Sequence, residues 1–445
     1  MGSHGEELAG GQAGSAVAPP APTSGLGRQI IVPPAPRAPI RAMAAKVMAG
    51  RAARRLPFSI TVPGGEGAGN PGSDGPVLRL RGPDAFYRRL GAGGLIGFGE
   101  AFQAGDWDSD DLPGLLTVFA SGVDEIIPPW LQRIRGHSAA PHRPREEEQT
   151  IDGARRNARH HYALPDELFR EFLDETMCYS SAIFPVAEDG RVIAEDGALA
   201  EAQRRKIDRL LDLADVGDGT RVLEIGTGWG ELAVRAAQRG ALVHAVTNMA
   251  EHAALARDRA SRAGVTSQVR VDQLDYRELA ADDGGYDAII SVEMIEAVGR
   301  HYWPVYFQAL EGLLAPQGRI GLQAMTMRHD RMIRTSTTYT WIDKYIFPGG
   351  LIPSLQGIEQ ALVRHTSLRV LDRNSFGDHY RATLALWRAR FNRNWPSLAQ
   401  LGFDETFRRT WELYLAFSEA GFAAGYLDVH QFLIARQSPR SNSIG

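Results

Sequence analysis

The sequence predicts an α/β fold: a doubly wound parallel sheet under a helical cap, preceded by a small α+β domain. Two observations carry most of that expectation. Strand-type apolar runs at residues 221–225, 242–247, 269–274, 286–292 and 318–324 alternate with helical patterns, and runs at 368–372 and 429–435 complete the set. Strands separated by helices specify parallel, wound sheets. Two stretches, 327–366 and 377–428, are too long for simple crossovers. The second is aromatic at helical spacing through Trp387, Phe391, Phe403, Phe407, Trp411, Tyr414, Phe417 and Phe422. Both are expected to cap the carboxyl ends of the strands, where open α/β sheets bind ligands.

At 445 residues the chain is long enough for two or three domains. Residues 1–39 are rich in Gly, Ala and Pro and bury too little apolar surface to offset their ordering entropy, so disorder is expected there. Residues 40–131 are the expected α+β domain. It opens with a helical pattern over 40–55, apolar at Ile40, Met43, Ala44, Val47 and Met48 and basic at Arg41, Lys46, Arg51, Arg54 and Arg55. This helix reads first as the start of a domain with a solvated basic face, and second as a helix lying on an anionic membrane. Strand-like runs at 58–62 and 77–81 and a glycine-rich segment at 93–99 follow. A polar, Arg- and Pro-rich stretch over 132–154 is expected to be an exposed linker to the main domain, 155–445.

Hydrophobic residues make up 44% and charged residues 23%, which excludes a wholly disordered or fibrous chain. The net charge of −4 argues against nucleic acid as a partner. No apolar run approaches the ~20 residues that span a bilayer. The single cysteine, Cys178, excludes an internal disulfide and any multi-cysteine metal site, and no metal is expected. Cys178 reads as a buried apolar residue rather than a catalyst. A soluble, cytoplasmic protein is the expectation.

The sharpest motif is Val222-Leu-Glu-Ile-Gly-Thr-Gly-Trp-Gly230, a buried strand entering a glycine-rich turn before a helical pattern. Gly226, Gly228 and Gly230 let a backbone approach a ligand closely. Glu224 sits inside the strand, the glycine spacing is G-x-G-x-G, and the second strand ends at Thr247 without the acid a dinucleotide ribose requires. These details favour S-adenosyl-L-methionine (SAM). Asp275-Tyr276, after the third strand, supplies a carboxylate and a ring suited to an adenine.

The sequence resembles the cyclopropane-fatty-acyl-phospholipid synthases and mycolic acid cyclopropane synthases. The match runs over about 280 residues in order: His161-Tyr162, Leu173-Asp174, Tyr179-Ser180, Gln203 with Lys206, the glycine motif, Ser291-Val-Glu-Met-Ile-Glu-Ala-Val-Gly299, Tyr345-Ile-Phe-Pro-Gly-Gly350, Gly402-Phe-Asp404, Ser418-Glu-Ala-Gly-Phe422 and Gly425-Tyr-Leu-Asp428. Gly97-Phe-Gly-Glu100 and Gly105-Asp-Trp107 look like the extra N-terminal domain of the longer, phospholipid-acting members.

The resemblance implies a Rossmann-like class I SAM methyltransferase acting on the cis double bond of an unsaturated phospholipid acyl chain. The implied product is a cyclopropane; a methylene branch from the same chemistry, or a SAM- and lipid-binding homologue without catalysis, are the alternatives. The implied location is the inner face of the membrane, with a homodimer left open. Attack of the alkene on the methyl leaves a carbocation that aromatic faces and negative charge can stabilise. Where the base sits decides between ring and branch.

In the family a bicarbonate ion is the presumed base, associated with a Glu, a His, a Tyr and a Cys. Glu296 and Tyr380 match two of these positions, whereas Ser181 stands at the Cys position and Gln323 at the His position. Ser and Gln can hydrogen-bond an anion but cannot act as an imidazole base. Tyr162, Tyr179 and Ser180 match SAM-side residues, Ala163 replaces the family Asp, and His252 stands where the family has Gln. Tyr339, Trp341 and Tyr345 are candidate rings near the cation, and Lys344 either pairs with a lipid phosphate or is solvated.

Overall fold

The computed structural model describes residues 30–65, 67–69, 74–122, 144–162, 164–280 and 284–437, without the side chains of 160–162. The expected tail therefore falls outside the described residues up to position 29, and the expected linker does so up to 143. The part of the tail that is described is tethered: Arg89 Nη1 donates to the Pro33 carbonyl.

The first four strands, β1 (Ser59–Thr61), β2 (Ala68–Gly69), β3 (Val77–Leu80) and β4 (Trp107–Asp108), form a sheet in the order β2-β1-β3-β4. The helices Pro39–Arg55, Pro83–Gln103 and Leu112–Ser121 accompany it. The glycine-rich segment does not break into a loop. It lies inside the helix Pro83–Gln103, which kinks where Gly94 takes a φ of 56°, a left-handed value that glycine adopts at little cost.

The main sheet contains β5 (Arg221–Ile225), β6 (Leu242–Thr247), β7 (Val269–Gln273), β8 (Tyr286–Val292), β9 (Leu314–Met327), β10 (Leu368–Ser375) and β11 (Leu427–Arg436). Their order is β10-β11-β9-β8-β5-β6-β7. All seven expected strands are present, but the sheet is mixed rather than parallel. Strands β5 to β9 pair in parallel, whereas β11 runs antiparallel to both β9 and β10. After the cap helices the chain returns and inserts β11 between β9 and β10, and β5 and β8 take the buried centre, matching their continuous apolar runs.

One apolar cluster joins the N-terminal sheet to the cap. Phe58, Leu80 and Trp107 belong to the same buried set as Trp387, Phe407 and Trp411. The cap helices Gly377–Arg393 and Glu405–Ala423 pack on each other, the second started by Asp404, whose carboxylate accepts from Phe407 N at 2.7 Å. Most of the aromatic stripe is core, with Phe417 half exposed. Polar contacts secure the junction: Gln103 donates to Thr410, Trp341 Nε1 donates to Gln103, and Lys344 Nζ and Tyr345 OH both reach Glu100 Oε1, at 2.6 and 2.9 Å. Lys344 is thus paired with Glu100, although part of its side chain stays exposed. Tyr339, Trp341 and Tyr345 likewise point to Glu147, Gln103 and Glu100 instead of a cation site. The last residues of the expected linker are packed as well, since Gln149 is buried and Arg277 Nη1 donates to its carbonyl.

Candidate active site

A cavity lies at the carboxyl ends of β5, β6 and β8. It is walled by Thr176–Ser180, Lys206, Glu224–Trp229, Val246–Met249, His252, Tyr276 and Val292–Met294, among others. Strand β5 delivers the glycine turn to it. Gly226 has a φ of 88°, and a Cβ there would meet Met294 Cγ and Sδ at 2.7 Å; Gly228 has a φ of 50° and open space beside it. Both positions need glycine, and Gly228 is where a ligand can press on the backbone. Gly230 belongs elsewhere, because its missing Cβ admits the Ala256 backbone of the next helix, 2.8 Å away.

The cavity wall is acidic and apolar. Glu224 is buried, its Oε2 accepts from Thr227 Oγ1 at 3.2 Å, and burial pushes its pKa up to about 8. Lys206, also buried, donates to Ser180 Oγ at 2.6 Å. It is the one cationic side chain among the described lining residues. His252 stacks near Trp229 at 4.6 Å, and burial lowers its pKa to about 4, so it is neutral at physiological pH. Thr247 lines the wall and accepts from Met249 N. Cys178 also lines it, with burial raising its thiol pKa, which opposes a nucleophilic role.

This wall fits SAM. The buried Asn248 Oδ1 has no hydrogen-bond partner among the described residues and offers an acceptor to a ribose hydroxyl. The Tyr276 ring and Leu274 supply apolar surface for a base, and Ser180 with Lys206 supplies donors for a carboxylate. Two expected contributors stand apart. Asp275 is buried outside the lining, with both oxygens on the Arg277 guanidinium at 2.7 and 2.8 Å, so it positions Arg277 and caps the turn Tyr276–Glu278. Tyr162 ends the helix Ile151–Tyr162, whose Ala158 reaches the cavity, but its side chain lies outside the described residues.

Three of the four residues expected to hold an anion, Ser181, Gln323 and Tyr380, converge on a different carboxylate, Glu293. Glu293 follows β8 directly. Its Oε1 accepts from Ser181 N at 3.0 Å and from Gln323 Nε2 at 2.9 Å, and its Oε2 accepts from Tyr380 OH at 2.7 Å. Gln323 is oriented for this because its Oε1 accepts from Gln431 Nε2 at 3.0 Å. The backbone is committed too. Glu293 has a φ of 51°, rare outside glycine, and its N–H donates to the Gln323 carbonyl at 2.8 Å. Such a conformation costs on the order of 1–3 kcal/mol and is typical of functional positions.

Bicarbonate does not fit this arrangement. The donors that would bind it are already given to Glu293, so no step is assigned to that ion. Ser181 acts through its backbone N–H, while its hydroxyl donates to the Ala182 carbonyl. Glu296, the expected carboxylate, is buried one turn on and does not line the cavity. Its Oε1 accepts from Met325 N at 2.5 Å, and its Oε2 has no partner among the described residues. Burial first, and then the charge of Glu293, push its pKa up to about 8. Burial also raises the Glu293 pKa, against the opposing bonds from Ser181, Tyr380 and Gln323. Aromatic rings surround this carboxylate: Tyr380 lies 4.7 Å from Phe422, and Tyr179 lies 5.3 Å from Trp387 and shares a 2.7 Å hydrogen bond with Tyr414.

The family model described as mycolic acid cyclopropane synthetase matches residues 149–432. A tuberculostearic acid methyltransferase of Mycobacterium tuberculosis is 49% identical over 91% of this chain and 94% of its own length. The cyclopropane-fatty-acyl-phospholipid synthase of Escherichia coli is 30% identical over 82% of this chain and 89% of its own. Among solved structures, the cyclopropane synthase MmaA2 of M. tuberculosis superposes with a TM-score of 0.56 at 28% identity, covering 63% of this chain and 98% of that one. With its seven-stranded class I methyltransferase sheet, the chain belongs to the mycolic acid cyclopropane synthetase family of SAM-dependent enzymes that methylate or cyclopropanate lipid acyl chains.

Proposed function

We propose that this protein transfers a methyl carbon from SAM to the cis double bond of an unsaturated phospholipid acyl chain, with Glu293 as its built-in base. The observation that carries this reading is the Glu293 carboxylate, gripped by Ser181, Gln323 and Tyr380 at the edge of the cofactor cavity. Bound SAM supplies an electrophilic methyl. The alkene π pair forms the new C–C bond as the S–CH3 bond breaks, and positive charge is left on the acyl chain. The carboxylate of Glu293 and the rings of Tyr380 and Phe422 are positioned to stabilise that charge. For the methylene product a hydride shifts from the methyl-bearing carbon to its neighbour, which moves the charge onto the methyl-bearing carbon; Glu293 then takes a proton from the methyl group, whose C–H pair becomes the exocyclic double bond. Without the shift, loss of the same proton closes the ring. Tyr380 holds the carboxylate in place, since burial and the Glu293 charge keep its own phenol protonated.

A methylene branch is the favoured product. The relative matching 91% of this chain is named as a methyltransferase. Ring closure is the second reading, favoured by the 30% identical cyclopropane synthase. Purified protein, SAM and unsaturated phospholipid are expected to yield acyl chains heavier by one carbon and two hydrogens, with NMR showing an exocyclic methylene. Absence of any mass gain overturns the proposal, and a ring signal overturns the branch.

Further features of the reading are an inner-membrane-face location, cytoplasmic residence and action as a peripheral protein. No helix among the described residues is long and apolar enough to cross a membrane.

A further inference from the structure

The helix Pro39–Arg55 turns an alanine stripe inward and leaves its other side uncovered. Ala45 and Ala53 are buried, and Gly91 of the helix Pro83–Gln103 sits so close that a Cβ there would meet the Arg41 carbonyl oxygen at 2.4 Å. The opposite side exposes Ile40 by 86%, Met43 by 64% and Val47 by 47%. Leu95, one turn beyond Gly91, is 64% exposed, and Ile31 is 78% exposed. Scattered exposed apolar residues are ordinary, but Ile40, Met43 and Val47 recur at helical spacing on one face of this helix and form a patch.

Basic residues frame that patch. Arg51, Arg54 and Arg55 continue the same outward face, and Arg37, Arg41 and Lys46 flank it. Between Arg28 and Gly65 the chain carries seven basic residues and no acidic one, although the whole chain has a net charge of −4. None of the six from Arg37 to Arg55 has an ion-pair partner among the described residues. A second copy of this face would be repelled by it, whereas a sheet of phosphates matches it.

We propose that this face docks the protein on an anionic lipid bilayer, the apolar side chains entering the interface and the arginines meeting headgroup phosphates. The inference rests on the proposed phospholipid substrate and adds the surface through which that substrate is reached. The helix Pro83–Gln103, on which the docking helix lies, also holds the cap through Glu100, Lys344 and Tyr345, so docking fixes the cap at the membrane.

The test is flotation of the full chain with vesicles of phosphatidylcholine alone or mixed with phosphatidylglycerol, at low and high salt. Binding is expected to require the anionic lipid and to weaken with salt. The triple variant R51E/R54E/R55E and the pair I40D/V47D should each lower partitioning at least about tenfold. Both variants should keep native SAM-dependent turnover on phospholipid dispersed in detergent micelles, while turnover on vesicles falls. The inference is overturned by equal binding to neutral and anionic vesicles, by binding that appears only after residues 1–29 are removed, by variants that dissociate a dimer, or by equal loss on micelles and vesicles. A native protein that floats with anionic vesicles but transfers no methyl on micelles would instead sink the functional reading and leave the docking surface standing.

Discussion

The cofactor wall and the base wall of the cavity are built in different ways. The cofactor wall is local: one strand and one turn, Glu224 to Gly230, set the backbone path, and Gly226 and Gly230 each answer a contact within a few ångströms while Gly228 faces open space. The base wall is assembled from four distant segments, with Ser181, Glu293, Gln323 and Tyr380 meeting only after the sheet and cap have closed. A local wall is sensitive to backbone freedom; an assembled wall is sensitive to the chemistry of a single group.

That contrast can be broken most sharply at Glu293. The Glu293→Gln variant keeps size and shape but cannot take a proton, so its turnover should fall about 10²- to 10⁴-fold, while SAM affinity measured by calorimetry changes little. A comparable loss of SAM affinity would mean that the carboxylate belongs to the cofactor wall instead. Next in size is Gly226→Ala, where a left-handed φ of 88° and the contact with Met294 combine. A cost of about 1–2 kcal/mol should appear as roughly 5- to 30-fold weaker SAM binding. Gly230→Ala, pressed on the Ala256 backbone, should lower the melting temperature more than it weakens SAM binding.

The smallest effect at neutral pH belongs to Glu296→Gln. With its pKa at about 8 the native carboxyl is mostly protonated at pH 7, so an amide should leave turnover within a few-fold, and the difference should grow above pH 8. Stability follows the same sign. Glu224 and Glu296 have folded-state pKa values of about 8 against an ordinary 4.5, so the folded chain binds more protons than the unfolded one between those values. Their contribution is fully present below pH 4.5 and is lost as pH rises through 8. In thermal melts, Glu224→Gln and Glu296→Gln should therefore gain on the native protein from pH 5 to pH 9, and variants that instead lose ground over that range would contradict the assignment.

The two walls also differ in how much of them the amino-acid order reveals. The glycine turn, the seven strands and the cap were legible because periodicity and turn chemistry are local. The antiparallel β11 was not, since an apolar run carries no direction. Glu296 drew attention because it matches a family position, while Glu293, three residues earlier, carried a weaker signal: an acid immediately after an apolar strand, in a chain that also has Ser181 and Gln323 in place of Cys and His. The Gln323 departure makes sense once its amide is seen to donate to Glu293, whereas Ser181 meets Glu293 only through its backbone N–H. Asp275 has a second, structural use, since an acid after a strand also serves as a cap for its own turn.

The most direct test of the built-in base uses bicarbonate itself. Glu293→Gly removes the carboxylate at a position whose φ of 51° suits glycine and frees the donors of Ser181, Gln323 and Tyr380. Turnover should be measured with and without added bicarbonate in carbonate-free buffer, for the native protein and for this variant. The native protein should be indifferent to the ion, and the inactive variant should regain activity as the ion is added. Native turnover that collapses without bicarbonate and returns with it would contradict the assignment of the base to Glu293.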